Sequence, residues 1–142
     1  MAGHGGRVDT DQGPQAVDDV PAVAEVRWYN LVIECTDPRR LADFWLAVLG
    51  WREAYASADE VGIEAPGDPE ERTPAMVFWR TGNVRRGKNR LHVDLRAADL
   101  AAAANRLVRL GATVADVGQS PDAKWIVLAD PEGNVFCVQP SA

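Results

Sequence analysis

The feature that most constrains this fold is an internal repeat within the sequence. In both halves a strand residue stands seven positions before an aspartate, a Leu-Gly pair follows, and a Val-Phe pair comes later. The matched positions are Asn30 and His92, 49–50 and 110–111, and 77–78 and 135–136. A repeat of this kind predicts two copies of one supersecondary unit that bury their apolar faces together.

Hydrophobic periodicity assigns the same order of elements to both halves, a strand, a helix and then three strands. The helices are predicted at 38–49 and 100–110, where Asp37 and Asp99 are suitable N-caps. Strands are predicted at 26–35, 53–57, 61–64, 75–80, 89–96, 113–117, 124–129 and 134–139. This order predicts an α+β fold of two tandem βαβββ modules that form a cleft between curved mixed sheets.

The chain divides into a short tail and a body that holds both modules. Residues 1–25 carry five acidic side chains against one arginine and no aromatic residue, so we expect an acidic, disordered N-terminal tail. The body is expected at 26–142, with its modules at 26–80 and 89–139.

Composition and charge exclude several classes of function. The formal net charge is −6, whereas a nucleic-acid-binding protein needs a basic face for phosphate contacts. No apolar run approaches the roughly 20 residues of a membrane helix, so no membrane partner is expected. The two cysteines, Cys35 and Cys137, lie far apart, and so few thiols fit a reducing compartment. We therefore expect a cytoplasmic protein.

Five segments carry a resemblance to a known superfamily. They are the Asp37-Pro38 pair, the LADFWLAVLGW helix, LHVDLRAADL, RLGA and the final ADPEGNVFCV. Together they resemble the vicinal oxygen chelate (VOC) superfamily, in its glyoxalase-like branch with relatives of bleomycin-resistance proteins. The resemblance covers residues 26–139. It implies paired βαβββ modules around a binding cleft for a small molecule, and a homodimer, since superfamily members commonly form homodimers.

The resemblance also implies where a divalent metal binds in those members that hold one. The matching positions here are Asn30, Trp79, His92 and Cys137. An indole cannot ligate and an amide oxygen is a weak ligand, so this set lacks the imidazoles and carboxylates that such a site needs. We therefore expect no metal and no other cofactor. The alternative is a divalent metal for which Glu34 and Asp94, on the same cleft-facing parity, replace the missing ligands.

His92 and Asp94 are candidate catalytic residues, because they share one strand face and an imidazole titrates near neutral pH. Glu34 is a third candidate, on the corresponding face of the first strand. The alternatives are a structural histidine and surface ion pairs of the two acids with Arg90 or Arg96.

Alternation along the strands places further side chains on the predicted cleft. Trp28, Trp79 and Trp125 would form aromatic walls suited to a flat or cyclic molecule, with core packing as the alternative for Trp79 and Trp125. The predicted ligand-binding set is Trp28, Asn30, Trp79, His92, Trp125 and Cys137. Five basic side chains at 80–90 either form a solvated linker or attract an anionic ligand to the cleft mouth.

Three functions fit these observations. The first is a glyoxalase-like protein that binds a flat or cyclic organic molecule in an aromatic cleft without the family metal. The second is a lyase or isomerase in which His92 and a carboxylate transfer a proton. The third is a metal-dependent glyoxalase or dioxygenase. Whether the chain is an enzyme stays open at this point, because one scaffold can host many reactions.

Overall fold

The elements follow the order that the repeat predicts. The computed structural model describes residues 26–71, 73–83 and 86–141, so the predicted tail at 1–25 lies outside the described residues. The elements are β1 (Asn30–Cys35), α1 (Pro38–Leu49), β2 (Arg52–Ala56), β3 (Glu60–Glu64), β4 (Ala75–Arg80), β5 (Asp94–Ala97), α2 (Leu100–Leu110), β6 (Thr113–Val114), β7 (Ile126–Ala129) and β8 (Val135–Pro140).

The two halves have the same sheet topology. The strand order is β1-β4-β3-β2 in the first sheet and β5-β8-β7-β6 in the second, and we call these halves module 1 and module 2. In each module the first strand runs parallel to the last, and the other neighbours are antiparallel. Each sheet keeps its own edge strands, so the sheets are not closed into a barrel. The predicted α+β fold of two βαβββ modules is confirmed.

Both helices begin and end as their sequences predict. The carboxylates of Asp37 and Asp99 accept hydrogen bonds from the backbone N–H three residues further on, at 3.1 and 2.9 Å. Gly50 and Gly111 end the helices in the left-handed region, with φ of 66° and 116°. None of the helices in the described ranges is long and apolar enough to cross a membrane.

The core joins the two modules through aromatic side chains of α1. Phe44 and Trp45 are buried, and both rings contact Phe136 of β8 edge to face, with centroids 6.2 and 5.1 Å apart. Edge-to-face pairs of this kind add about 0.5–1.5 kcal/mol beyond the area that they bury. Helix α1 therefore covers its own sheet and also holds module 2 in place.

A buried carboxylate adds a polar link between the modules. Asp130, 3% exposed, lies in the turn before β8 and accepts a hydrogen bond from the Trp45 indole Nε1 at 3.3 Å. It also accepts from the backbone N–H groups of Glu132 and Asn134, at 3.0 and 2.9 Å. Burial raises the pKa of Asp130, and these hydrogen bonds partly oppose that shift. Next to it, the Glu132 carboxylate accepts from the backbone N–H and the hydroxyl of Thr36.

Four predicted strands begin later than expected, and the strand predicted at 113–117 ends at Val114. The strand predicted from residue 26 begins at Asn30, and Tyr29, just before it, is 82% exposed. The strand predicted from residue 89 begins at Asp94. At this end of the sheet the side-chain amide of Asn89, and not a strand backbone, pairs with β8. It bonds both the N–H and the C=O of Val135, at 2.8 and 3.0 Å.

Candidate functional site

One face of each sheet is covered by a helix, and we call the other its open face. On β5 and just before it, Val93, Leu95 and Ala97 pack against the core. His92, Asp94 and Arg96 alternate with them and are exposed. Alternation along a strand thus places these three side chains together on the open face of module 2.

The open face of module 2 holds a connected polar cluster. His92 Nε2 lies 3.1 Å from Asp94 Oδ1, and Gln139 Nε2 donates to Asp94 Oδ2 at 3.4 Å. Asp94 is the direct cross-strand partner of Cys137, whose backbone N–H donates to Val93 O at 3.0 Å. We call His92, Asp94, Cys137 and Gln139 the polar cluster. Its carboxylate is held from two sides, which fixes its orientation toward the imidazole.

The two cysteines occupy opposite environments. Burial raises the pKa of Cys35, a core residue that is 3% exposed, to about 11. Cys137 is a free, half-buried thiol. Burial is also the main reason why its pKa is raised; the charge of Asp94 adds to the shift and that of Lys88 opposes it. Lys88, in the segment that joins the modules, therefore acts electrostatically on the polar cluster.

The open face of module 1 carries acids and aromatic rings. Trp79, 52% exposed, lies between Glu34 and Glu60, its cross-strand partners on either side. The Tyr55 hydroxyl donates to Glu60 at 2.5 Å. The Tyr55 ring covers Gly62, where an added Cβ would meet the ring at 2.3 Å. Only a glycine at this position leaves room for the ring.

The structure brings some of the predicted site residues together and leaves others apart. His92, Asp94 and Cys137 converge, whereas Glu34 lies on the other sheet and has no hydrogen bond or ion pair with them among the described residues. Asn30 also belongs to module 1, as the first residue of β1. The remaining predicted ligand-binding residues are tryptophans with exposed fractions of 73% for Trp28, 52% for Trp79 and 39% for Trp125. Arg85, in the basic linker, lies outside the described residues.

Two shallow depressions lie near module 2 but away from His92. One, of about 490 Å³, is lined by residues of α2 and by Val114. The other, of about 370 Å³, extends from Val114 to Trp125 and includes residues of the segment between them. Trp125 thus borders a concave surface at the β7 edge of its sheet. The two sheets are not joined into one closed sheet that would enclose a cavity, so the predicted cleft between them stays a prediction.

The four family metal positions do not fit a hard divalent cation. Asn30 and Trp79 lie on the sheet of module 1, and an indole N–H can only donate. In the described part of the chain, the ligand-type side chains that converge in a group of three or more are His92, Asp94 and Cys137. A thiol in this group replaces the oxygen donor that Mn²⁺ or Mg²⁺ prefers. We derive no reaction step through such a metal.

Two partners of the site were missed by the sequence reasoning. Gln139 follows Cys137 by two positions, so the same alternation that selected Cys137 could have identified it. The other is Asn89, whose side-chain amide pairs with Val135 and holds the chain just before His92. This pairing has no signature in the hydrophobic periodicity.

Comparison with known proteins identifies the same architecture. The family model of the glyoxalase-like domain matches residues 30–139. No curated protein matches this sequence significantly. Solved structures do match. One is a glyoxalase/bleomycin resistance protein/dioxygenase family enzyme from Burkholderia phytofirmans PsJN, 17% identical over 82% of this chain and 100% of that one, with a TM-score of 0.63.

Two further structures show what similar folds can hold. A bleomycin-binding protein from Streptomyces verticillus, in complex with copper(II)-bleomycin, is 19% identical over 84% of this chain and 100% of that one, with a TM-score of 0.54. A fosfomycin resistance protein from Listeria monocytogenes, with Mn(II) and 1S,2S-dihydroxypropylphosphonic acid, is 13% identical over 82% and 90%, with a TM-score of 0.62. At these identities the likeness shows the fold alone. The family match covers most of the chain, and the protein therefore belongs to the glyoxalase-like domain family.

Proposed function

We propose that this protein binds a flat or cyclic organic molecule on the open faces of its sheets, without the divalent metal of its family. The observation that carries the proposal is that the open face of module 2 holds the polar cluster while the open face of module 1 exposes Trp79. Binding sites for small molecules combine apolar walls with a few fixed polar groups that orient the ligand. His92 and Asp94 supply the polar groups here, 3.1 Å apart.

The exposure of the aromatic residues supports this proposal. Trp79 and Trp125 are 52% and 39% exposed, and Val32, on the same face as Trp79, is 51% exposed. A large apolar surface left in contact with water is costly, and on a sheet face it is typical of a site that is covered by a ligand or partner. The ligand-bound complexes of the Streptomyces and Listeria relatives are consistent with a small-molecule site in this fold.

A fluorescent probe tests the proposal directly. Anilinonaphthalene sulfonate is flat, aromatic and anionic, and its fluorescence rises on transfer from water to an apolar surface. Titrated in the presence of a chelator, the protein should bind it saturably, and we expect Trp125→Ala and Trp79→Ala to weaken binding by about tenfold each. Val108→Ala is the control, because Val108 is 45% exposed but lies on α2.

The outcome of this titration is decisive in either direction. Saturable binding that depends on the two tryptophans and not on Val108 supports a ligand site on the open faces. Binding that is unsaturable, or that Val108→Ala weakens as much as the tryptophan variants do, would exclude it.

A second candidate function is proton transfer by His92, as in a lyase or isomerase. The observation that favours it is the orientation of the imidazole by Asp94, whose second oxygen is held by Gln139. A carboxylate in this position holds the ring in one orientation and one tautomer. For a compound that the wild type converts, His92→Ala should abolish turnover and leave the equilibrium binding constant nearly unchanged. Equal losses of binding and turnover would assign His92 to binding alone.

A homodimer and a cytoplasmic location complete the proposal. A second copy could cover part of the exposed apolar surface of the open faces, and sedimentation velocity should then give twice the 15.4 kDa mass of the chain. Both cysteines are free thiols, as expected in a reducing compartment. A monomer at micromolar concentration, or recovery of the protein from the extracellular fraction, would contradict these two points.

A further inference from the structure

We infer that the open face of module 1 selects an organic ammonium cation, held over the Trp79 indole between the carboxylates of Glu34 and Glu60. The inference rests on the proposed function, since it names the charge class of the ligand that this face takes. It concerns module 1 and needs none of the residues of the polar cluster. The chemical class is a protonated or quaternary amine that carries an apolar ring.

Strand pairing brings the three side chains into one row across the sheet. Trp79 of β4 is the direct partner of Glu34 in β1 on one side and of Glu60 in β3 on the other. Neighbouring strands lie about 4.8 Å apart, so the Cα atoms of the two glutamates are about 10 Å from each other. The indole between them is 52% exposed. The row therefore presents an aromatic surface to solvent with a carboxylate on each flank.

Neither carboxylate of this row is paired with a cation among the described residues. The Glu34 carboxylate forms no hydrogen bond or ion pair with them, and that of Glu60 accepts from the neutral Tyr55 hydroxyl at 2.5 Å. The next residue along β4 is Arg80, whose guanidinium is bound by Asp59 at 3.2 Å and by two backbone carbonyl groups. Both negative charges of the row thus remain available to a ligand.

The next row of the sheet supplies an apolar surface for the ring of the ligand. Val32, two positions before Glu34 on the same face, is 51% exposed. The Tyr55 ring covers Gly62 and belongs to a residue that is 46% exposed. Burial raises the pKa of Tyr55 to about 12, and the hydrogen bond to Glu60 adds to this shift. The phenol therefore keeps its proton at neutral pH and holds the Glu60 carboxylate beside the indole.

A cation is the ligand that this arrangement favours. The face of an indole attracts ammonium groups through its negative quadrupole, and more strongly than the rings of Tyr or Phe do. The two carboxylates beside the ring add a Coulombic attraction for the same group and repel an anion. A neutral ring compound gains only the apolar contacts. Charge therefore decides which ring compounds this face prefers.

Two compounds of nearly the same size test the inference. The cation 2-phenylethylammonium carries the charge, and 2-phenylethanol replaces its ammonium group by a hydroxyl group. Each is titrated into isotopically labelled protein in the presence of a chelator. The dissociation constant is taken from the shift of the Trp79 indole N–H resonance, which is identified by its absence in Trp79→Leu. We expect the ammonium compound to bind about tenfold more tightly than the alcohol.

Glu34→Gln and Glu60→Gln, combined in one protein, remove both charges and keep the size of the side chains. This double variant should weaken binding of the ammonium compound by about tenfold and change that of the alcohol by less than about twofold. The anionic dye should respond in the opposite direction and bind more tightly. Glu70→Gln combined with Glu71→Gln is the matched control, because it removes the same net charge from the turn before β4 and should leave both constants unchanged.

The inference is overturned if the alcohol binds as tightly as the ammonium compound. It is also overturned if the Glu34 and Glu60 variant keeps the preference, or if the control lowers the preference equally. A failure of the proposed function gives a different result: neither compound shifts the Trp79 resonance saturably, the dye binds without saturation, and both proposals fall together. Equal and saturable binding of both compounds removes only the charge class.

Discussion

Both modules contain an Asp-Pro-Glu turn between their last two strands, but only the second of these turns is buried. In module 1, Asp68 accepts from the backbone N–H of Glu70 at 2.9 Å and remains exposed to solvent. In module 2, Asp130 makes the equivalent bond to Glu132 at 3.0 Å and also binds the buried Trp45 indole. The same local turn therefore has a purely local role in one module and joins the modules in the other.

The open faces of the two modules differ in the side chains that they present. Module 1 presents Trp79 between two glutamates, and module 2 presents the polar cluster. The helix-covered faces of both modules remain apolar, because they share one core. The duplicated fold thus keeps the packing of its core, while its solvent-facing positions differ in chemistry. The imidazole of His92 and the half-buried thiol of Cys137 both belong to the open face of module 2.

The largest expected effect concerns the two cysteines, one in each module. In the presence of a chelator, Cys137 should react with a thiol reagent in the native state, whereas Cys35 should react only after the core opens. Cys35 also forms less thiolate at a given pH, because its pKa is raised to about 11. We expect rates that differ by about a thousandfold or more, measured by mass spectrometry after timed labelling. Similar rates for both thiols would show that the core around Cys35 opens easily.

The next effect compares the two turns through Asp130→Ala and Asp68→Ala. Loss of Asp130 leaves the Trp45 indole and two backbone N–H groups without their acceptor in a buried place. We expect the free energy of unfolding to fall by about 2–4 kcal/mol in urea denaturation. Asp68→Ala should change it by less than about 0.5 kcal/mol, because water replaces the lost acceptor. Equal losses would mean that the local turn, and not the contact between modules, determines stability.

A smaller effect is expected from the glutamate of each turn. Glu132 accepts from the backbone N–H and hydroxyl of Thr36 in module 1. Glu70 forms an exposed ion pair with Arg27 at 3.3 Å. Glu132→Ala should lower the free energy of unfolding by about 1 kcal/mol, and Glu70→Ala should have almost no effect. Thermal unfolding of both variants measures the difference, and a larger loss for Glu70→Ala would contradict the assignment.

The smallest effect is a pH dependence that belongs to Asp130. Burial raises its pKa above the ordinary value of 3.8, so the folded protein binds this proton more tightly than the unfolded chain does. The resulting stabilisation is fully present below pH 3.8 and is lost as the pH rises through the native pKa. The stability of the wild type relative to Asp130→Asn should therefore decline over that interval. Urea denaturation at a series of pH values checks the sign, and a rise with pH would show that the hydrogen bonds to Asp130 outweigh its burial.

Much of the fold could be predicted from local signals. The bounds of both helices follow from their aspartate caps and terminal glycines, since capping depends only on neighbouring residues. The burial along β1 follows the alternation of a strand, since Leu31 and Ile33 pack against the core and Val32 between them is exposed. Periodicity predicts that this strand of module 2 begins at residue 89, whereas β5 begins at Asp94. The reason is that the side-chain amide of Asn89 takes the place of a backbone partner for Val135. A side chain that takes the hydrogen-bonding place of a strand leaves no periodic pattern in the sequence.

The repeat, the order of elements and the face on which His92 and Asp94 lie follow from local sequence, because they depend on spacing along one segment of chain. The tertiary structure adds Gln139 to this group and joins Trp45 of one module to Asp130 of the other. These contacts join residues more than 40 positions apart, and the strand register and helix packing that bring them together are set by the whole core.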